Sequence, residues 1–159
     1  MQTSTPLPAR VRRAGPEDVS ALASLRAEWQ GAEVTEPFTN AFADWFEREA
    51  SQRWWWVAED PAEAVVGMVN LKVFERMPSP GGSCSRWGYL ANLFVRTANR
   101  GQGVGAMLLG ALQDDSRDAG LVRVVLSPSR QSIPLYERAG FAPADMLLIW
   151  QPRLHDDTT

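Results

Sequence analysis

The sequence predicts a single α+β domain, and two observations support this fold class. Apolar residues follow strand and helix periods in the order β-α-α-β-β-β-α-β-α-β, which is neither a helix bundle nor a regular alternation of strands and helices. No internal repeat or linker interrupts the 159 residues, a length typical of one domain. We expect the domain to cover residues 9–153, between a disordered tail at 1–8 and a polar tail at 154–159.

The first half of the chain predicts a strand, two helices and a pair of strands. A strand over 10–14 leads into Gly15-Pro16-Glu17-Asp18, where an early proline and first-turn acids indicate a helix start. Thr39 is positioned to cap the second helix, after an irregular connector over 31–38. Two strands of a hairpin follow, over 54–59 and 64–74. The apolar stripes of the helices are Val19, Leu22, Leu25 and Trp29 in the first and Phe42, Trp45, Phe46 and Ala50 in the second.

The second half predicts a loop, three more strands and two helices. Residues 76–86 are rich in proline, glycine and serine and form the loop. A strand over 87–95 precedes a long helix that ends near Ala119, with Gly120 as its stop. The remaining elements are a β-branched strand over 121–126, a short helix over 133–139 and a final strand over 144–151.

The composition argues against several classes of function. The net charge of −3 provides no positive field for nucleic acid or an anionic membrane, and no apolar segment has the length of a membrane span. Cys84 is the only cysteine and His155 the only histidine, so we expect no disulfide, no cysteine-based zinc site and no histidine triad. These observations predict a cytoplasmic protein with no metal and no nucleic-acid or membrane partner.

The stretch Asn99–Leu109, NRGQGVGAMLL, contains three alternating glycines before an apolar helix. It contains no lysine, so it is not a GxxxxGK[ST] phosphate loop. It matches the dinucleotide pattern GxGxxA formally, but Arg96–Arg100 separate it from the preceding strand and no acid ends the next strand. A strand that turns into a helix exposes free N–H groups, and glycines let them approach a phosphate closely. The stretch therefore predicts either a phosphate cradle or a tight turn without a ligand.

Three elements in the right order resemble the GNAT superfamily of N-acetyltransferases over roughly residues 10–150. Arg100–Gly105 matches the pattern (Gln/Arg)-x-x-Gly-x-(Gly/Ala) between a strand and a helix. Leu135–Phe141, LYERAGF, is similar to a tyrosine element of the family, and Val11–Ala14 followed by Pro16–Asp18 is similar to its opening. The resemblance implies an α+β (α/β GNAT) fold: a mixed, mostly antiparallel sheet of six to seven strands, about four flanking helices, and splayed fourth and fifth strands.

The resemblance also implies an acetyl-CoA-dependent N-acetyltransferase that moves an acetyl group directly to a primary amine of a small molecule, or of a protein or peptide. Acetyl-CoA is the implied co-substrate, and a homodimer is a family expectation. Ser129 occupies about the position where the family often has an asparagine that bonds the pantetheine. The residues implied in acetyl-CoA binding are Leu93, Phe94, Val95, Arg100, Gly101, Gln102, Gly103, Val104, Gly105, Ala106, Ser129 and Tyr136.

The implied catalytic residues follow the family pattern only in part. Tyr136 matches the tyrosine that protonates the departing thiolate. The strand over 87–95 has no carboxylate where some members place a glutamate, so Tyr89 and Glu75 are candidates for the base, and Asn92 could orient a water or the substrate. A water relay or an amine of low pKa would remove the need for a base. The missing carboxylate leaves an alternative open, a non-catalytic acyl-CoA-binding sensor with the same fold.

The aromatic residues allow two interpretations. Trp54-Trp55-Trp56 alternates faces along a strand, so at least one indole is exposed or covered by another element. Trp45 and Phe46 lie on the helix that borders the acceptor site in the family. They line an apolar acceptor pocket, or they serve packing or a dimer contact, which is the favoured interpretation. A protein that binds a partner through exposed tryptophans is the second rival to the enzyme.

Overall fold

A mixed sheet forms the frame of the domain. The computed structural model describes residues 9–152, and its five strands lie side by side in chain order. All neighbouring strands are antiparallel except the last two, which are parallel. The predicted α+β fold with a mostly antiparallel sheet is confirmed. The strands are β1 (Arg10–Arg13), β2 (Arg53–Glu59), β3 (Val65–Glu75), β4 (Arg86–Val95) and β5 (Val124–Val125).

Helices cover both faces of the sheet. Because side chains alternate along a strand, Trp56 of β2 packs on one face with the long helix before β5, and Trp55 packs on the other face with the first two helices. The indole of Trp56 is buried and donates a hydrogen bond to Asp115 over 2.8 Å. Two separate apolar cores result. The helices are α1 (Val19–Gln30), α2 (Glu36–Glu49), α3 (Val104–Asp118) and α4 (Ile133–Arg138).

A buried ion-pair cluster joins the start of α1 to the sheet. The Arg12 guanidinium of β1 donates two hydrogen bonds of 2.8 Å to the Asp18 carboxylate and one of 2.7 Å to Glu59 of β2. Asp18 also accepts a hydrogen bond from the backbone N–H of Gly15, at the predicted helix start. The bonds from Arg12 hold the pKa of both buried carboxyls below the usual range.

The prediction of the α2 cap at Thr39 is wrong by one turn. The side chain of Thr35 accepts the capping hydrogen bond from the backbone N–H of Phe38, and Thr39 lies inside the helix. The reason is Pro37, which is tolerated in the first turn of a helix. Backbone N–H groups in that turn have no partner within the helix, so the N–H that proline lacks is not missed. α2 therefore starts at Glu36, inside the segment that the sequence predicts as a connector.

The end of the sheet is shorter than the sequence predicts. The strand predicted over 121–126 is reduced to β5, and the strand predicted over 144–151 is absent, so the sheet has five strands rather than six to seven. The apolar run Met146–Trp150 makes no backbone hydrogen bond to β5 in the described part of the chain, and its side chains are exposed. Strand-forming residues alone do not make a strand, because a strand needs a partner edge.

Other predictions concern the ends of the elements and of the chain. α3 ends as predicted, with Gly120 beyond it in the left-handed conformation at φ +70°. The predicted tails at 1–8 and 154–159 lie outside the described residues. Over residues 9–152, no helix is long and apolar enough to cross a membrane, and no three His, Cys, Asp or Glu side chains converge in a way that could hold a metal ion.

Candidate active site

A deep cleft opens where β4 and β5 separate. The two strands pair only at Gly88 with Val124 and at Tyr89 with Val125. Beyond these pairs the chains diverge, and residues 90–95 and 126–129 line a cavity of about 1180 Å³. The splay implied by the family resemblance is present, and it leaves the backbone edge of β4 available to a ligand.

A β-bulge interrupts β4 in the wall of this cleft. Met68 of β3 pairs with Phe94 and Asn70 pairs with Ala91, so a single β3 residue lies opposite Asn92 and Leu93. Asn92 adopts φ +56°, a left-handed conformation that asparagine tolerates better than most residues. A bulge leaves its extra residue outside the ladder. A backbone N–H at this point can therefore bind a group in the cleft.

A chain of polar side chains holds Asn92 from behind. The fully buried amide of Asn70 donates to the Asn92 side-chain oxygen over 2.8 Å, and its own oxygen accepts from Arg53 over 2.6 Å. Arg53 and Lys72 both bond the carboxylate of Glu49 on α2. These bonds lower the pKa of Glu49 below its usual range, and the bond from Lys72 has the largest effect. The orientation of Asn92 is thus fixed by charged groups outside the cleft.

The glycine turn lies between β4 and α3. Gly101 and Gly103 have φ values of +74° and +79°, in the left-handed region that glycine adopts without strain. No protein atom lies within 4 Å of the place that a Cβ would take on either residue. Gly103 ends the turn without a side-chain cap, so the first N–H groups of α3 remain available. These features fit a pyrophosphate at the helix N-terminus.

Two polar residues of the turn differ in their placement. Arg100 lines the cleft, donates one N–H to the backbone oxygen of Val95 over 2.9 Å and stacks on the ring of Phe94 at 5.5 Å. Its other N–H groups can reach a phosphate. Gln102 is not among the lining residues, and its amide lies 3.4 Å from the backbone oxygen of Ala98. The structure therefore brings Arg100 to the cleft but not Gln102.

Tyr136 and Ser129 reach the cleft from its opposite wall. Tyr136 lies on α4, is 8% exposed and packs its ring against Phe141 at 5.7 Å. Burial raises the pKa of Tyr136, so its hydroxyl keeps its proton at neutral pH. Ser129 lines the cleft near the start of α4 and donates to the hydroxyl of Ser132. The lining residues predicted from sequence are Leu93, Phe94, Val95, Arg100, Gly101, Gly103, Val104, Gly105, Ala106, Ser129 and Tyr136.

The two candidates for a base lie away from the cleft. Tyr89 is half-exposed on β4 and pairs with Lys72 and Val125, while Glu75 pairs with Arg86 at the far end of β3 and β4. Neither residue is among those that line the cleft or the smaller cavity beside it. The structure does not bring them to the other candidate site residues.

A second, smaller cavity of about 320 Å³ adjoins the cleft, between the first two helices and the sheet. Its walls are mainly apolar, with Trp45 edge-on to Trp55 at 5.9 Å and to Phe42 at 5.6 Å. Asn92 lines both cavities, so they meet at the bulge. The residues that line the smaller cavity are Arg26, Phe38, Ala41, Phe42, Trp45, Trp55, Met68 and Asn92.

Sequence reasoning missed the contribution of α1 to these cavities. Trp29, predicted in the core stripe, is 41% exposed, stacks on Phe94 at 5.5 Å and lines the cleft. The Arg26 guanidinium lies 5.1 Å from the centre of the Trp29 ring. The spacing of three residues, which places both side chains on one helix face, is the signal that could have revealed this pair.

Comparison with known proteins agrees with this geometry. Residues 19–141 match the model of the acetyltransferase (GNAT) family. A glucosamine 6-phosphate N-acetyltransferase of Trypanosoma brucei brucei is 31% identical over 81 residues, which are 51% of this chain and 53% of that protein. The chain thus spans about half the length of the curated relative it matches.

Two solved structures share the fold at low sequence identity. A predicted acetyltransferase with acetyl-CoA from Clostridium acetobutylicum has a TM-score of 0.71 at 21% identity, over 90% of this chain and 96% of that one. The glucosamine-6-phosphate N-acetyltransferase of Arabidopsis thaliana has a TM-score of 0.72 at 17% identity, over 94% and 100% of the two chains. The family model matches residues 19–141, which are most of this chain, and the chain therefore belongs to the acetyltransferase (GNAT) family.

Proposed function

We propose that the protein is an acetyl-CoA-dependent N-acetyltransferase that transfers the acetyl group directly to a primary amine of a small molecule. The observation that supports this proposal best is a single cleft lined by the β4 bulge, the glycine turn and Tyr136. A phosphate cradle suits the pyrophosphate of CoA, an exposed strand edge can pair with the amides of its pantetheine, and a protonated phenol can protonate the departing thiolate.

Each part of the cleft has a role in this proposal. The glycine turn and Arg100 bind the pyrophosphate of CoA, and the free edge of Leu93–Val95 pairs with the pantetheine. Ser129 offers a hydroxyl on the opposite wall. The backbone N–H at the bulge is placed to polarise a carbonyl oxygen, as in an oxyanion hole.

The proposed reaction is balanced without a further reactant. Acetyl-CoA supplies the activated acetyl group. The amine nitrogen forms a bond to the acetyl carbon, the bond from that carbon to sulfur breaks, and the amine loses one proton while the thiol gains one. Tyr136 donates its phenolic proton toward the departing sulfur and regains one from solvent, because its raised pKa keeps it protonated at neutral pH.

The site lacks a strong base near the amine. Within residues 9–152, no carboxylate or histidine lines either cavity. The amine must therefore arrive neutral or lose its proton through water, and the base role of Tyr89 or Glu75 stays a prediction. The rate should rise with pH as the amine deprotonates, and it should fall only at a pH higher than that at which an exposed tyrosine ionises, because burial raises the pKa of Tyr136.

Release of CoA in the presence of acetyl-CoA and a panel of amines tests the proposal. We expect release with some amines, and Tyr136→Phe should lower kcat by about 10- to 100-fold while acetyl-CoA still binds. The Tyr136→Phe variant should also lose the fall in rate at strongly alkaline pH. Binding of acetyl-CoA without transfer to any amine would instead support the sensor, and absence of CoA binding would contradict both.

A homodimer is a further part of the proposal. β5 ends the sheet with its outer edge unpaired in the described part of the chain, and Leu148 and Ile149 are 100% and 81% exposed. A second copy would cover this apolar run. Light scattering after gel filtration should give a dimer mass for the wild type and for Met77→Asp, an exposed loop control, and a monomer mass for Leu148→Asp. A monomeric wild type would overturn the homodimer proposal.

For such an acetyl-CoA-dependent enzyme we propose a cytoplasmic location.

A further inference from the structure

The smaller cavity points to the chemical class of the acceptor, an inference that rests on the proposed function. We infer that this cavity takes the body of the amine, and that the acceptor is a primary amine with one aromatic group and a carboxylate. Five observations support this: the lining of the cavity, its size, its single charge, its few polar groups and its junction with the cleft.

The lining selects for a flat apolar group. Four aromatic rings and the Met68 side chain form most of the wall. Phe38 is edge-on to Phe42 at 6.1 Å, and Trp45 is nearly perpendicular to Trp55, with an interplanar angle of 88°. Such walls offer ring faces and edges to another aromatic ring, an arrangement that stabilises beyond simple burial of area.

The size limits the acceptor to a small molecule. A volume of about 320 Å³ lies at the lower end of the range for ligand pockets, and it suits one ring system with a short side chain. A protein lysine, whose side chain is a flexible aliphatic chain, would not need a cavity lined by aromatic rings. The observation therefore favours a small molecule over a protein or peptide amine.

The charge in the cavity is positive. Arg26 is the only charged residue among the lining residues, and no carboxylate within residues 9–152 forms an ion pair with it. Its guanidinium can bind a carboxylate in a two-pronged manner. A polyamine or an aminoglycoside carries several positive charges, which this cavity would repel. An anionic group on the acceptor is favoured for the same reason.

The polar groups are too few for a sugar. Arg26, Asn92 and the indole N–H groups of Trp45 and Trp55 are the only polar side-chain groups in the lining, so most sugar hydroxyls would lose water without gaining a partner. A buried hydroxyl without a partner is not compensated for the water that it loses. Glucosamine 6-phosphate, which the T. brucei relative is named for, is therefore a poor match for this cavity.

The junction places the amine at the reacting centre. Asn92 is the residue that both cavities share, and its side chain is fixed by the bond from Asn70. An acceptor with its ring in the smaller cavity can extend its amine past Asn92 into the cleft. The amine then lies beside the bulge of β4, where the thioester carbonyl is proposed to bind.

A comparison of four amines with purified protein and acetyl-CoA tests the inference. We expect kcat/KM for phenylalanine to exceed the values for glucosamine 6-phosphate and spermidine by about 100-fold. Phenethylamine, which lacks the carboxylate, should be about 10-fold poorer than phenylalanine. The variant Arg26→Met should abolish this preference, whereas Arg48→Met, at an exposed position of α2, should retain it.

Filling the cavity gives a second test that does not remove packing. Ala41 lines the cavity from an exposed position of α2, so Ala41→Trp should fill it without disturbing the fold. We expect kcat/KM for phenylalanine to fall by about 100-fold, with unchanged acetyl-CoA binding by calorimetry. Unchanged activity of this variant would overturn the inference.

The outcomes separate this inference from the proposed function. Transfer to glucosamine 6-phosphate or spermidine at a higher kcat/KM than to phenylalanine would overturn the inference but leave the acetyltransferase proposal intact. Equal use of phenethylamine and phenylalanine would overturn the role of Arg26. Acetyl-CoA binding without transfer to any amine would overturn the proposed function itself.

Discussion

The cleft and the smaller cavity are built in different ways, although they share Asn92. One wall of the cleft is a continuous segment, β4 through the glycine turn to the start of α3, and most of the opposite wall comes from residues 126–139. The smaller cavity consists of side chains from five elements, α1, α2, β2, β3 and β4. Backbone recognition of this kind suits a donor common to many enzymes, while a wall of side chains can change by substitution to suit one acceptor.

The difference also explains why the two sites are stabilised differently. The cleft depends on left-handed glycines and free N–H groups, which no other residue type reproduces. The smaller cavity depends on α1 and α2 being held against the sheet by ion pairs and caps, such as the Arg12 cluster and the cap at Thr35. Substitutions should therefore affect one site and leave the other unchanged.

The largest effect is expected at the glycine turn. Gly103→Val forces a β-branched residue into φ +79° and adds bulk where phosphate is proposed to bind. The dissociation constant for acetyl-CoA, measured by calorimetry, should rise about 100-fold. The smaller cavity should stay intact.

Gly110→Ala provides the matched control for this substitution. Gly110 lies inside α3, and a Cβ there would contact nothing within 4 Å. Acetyl-CoA binding should be unchanged, and stability should rise by about 0.5–1 kcal/mol because alanine favours a helix. An equal loss of binding in both variants would show that the turn has no special role.

A smaller effect, on stability rather than binding, is expected at the ion-pair cluster. Arg12→Met leaves the buried carboxylates of Asp18 and Glu59 without their main partner and should lower the free energy of unfolding by about 2 kcal/mol. Because α1 is tethered there, the acceptor KM should rise more than the acetyl-CoA KM. Urea unfolding at pH 7 and two-substrate kinetics measure both effects.

The same cluster predicts a dependence of stability on pH. Since folding lowers the pKa of Asp18 and Glu59, their contribution is fully present above their usual values near 4, and it is lost as the pH falls through the lower folded values. The wild type should lose stability below about pH 4 more steeply than Arg12→Met does. Parallel curves for the two proteins would contradict this role of the cluster.

The smallest effect is expected at the start of α2. Thr35→Ala removes the cap and should lower stability by about 1 kcal/mol, measured by thermal unfolding. Thr39→Ala, the matched substitution one turn later, should change stability by less than about 0.5 kcal/mol, because Thr39 does not cap the helix. A larger loss of stability for Thr39→Ala than for Thr35→Ala would instead support Thr39 as the cap of α2.

The sequence predicts the cleft better than it predicts the smaller cavity. The glycine turn and Tyr136 follow from contiguous motifs, so the amino-acid sequence alone points to Gly101, Gly103 and Arg100, and the structure places all three on the cleft. The smaller cavity depends on how α1 and α2 lie on the sheet, which local patterns do not specify. The spacing of Trp29 therefore predicts a core residue, although its indole lies on the wall of the cleft.

Two further sequence predictions, one wrong and one incomplete, have local physical explanations. The strand predicted over 144–151 has the right residue types, but in the described chain it makes no hydrogen bonds to the open edge of β5, and residue types alone do not create that pairing. The packing role favoured for Trp45 agrees with its contacts to Phe42 and Trp55, and the same indole also lines the smaller cavity. Burial on one side of a large ring leaves the other side free for a ligand.

Two-substrate initial-velocity kinetics test most directly the claim that two adjoining cavities hold donor and acceptor together. With the best amine of the panel varied at several concentrations of acetyl-CoA, direct transfer predicts double-reciprocal lines that intersect, because both substrates must be bound before transfer. Parallel lines would indicate an acetylated enzyme intermediate formed before the amine binds, and would contradict direct transfer across Asn92.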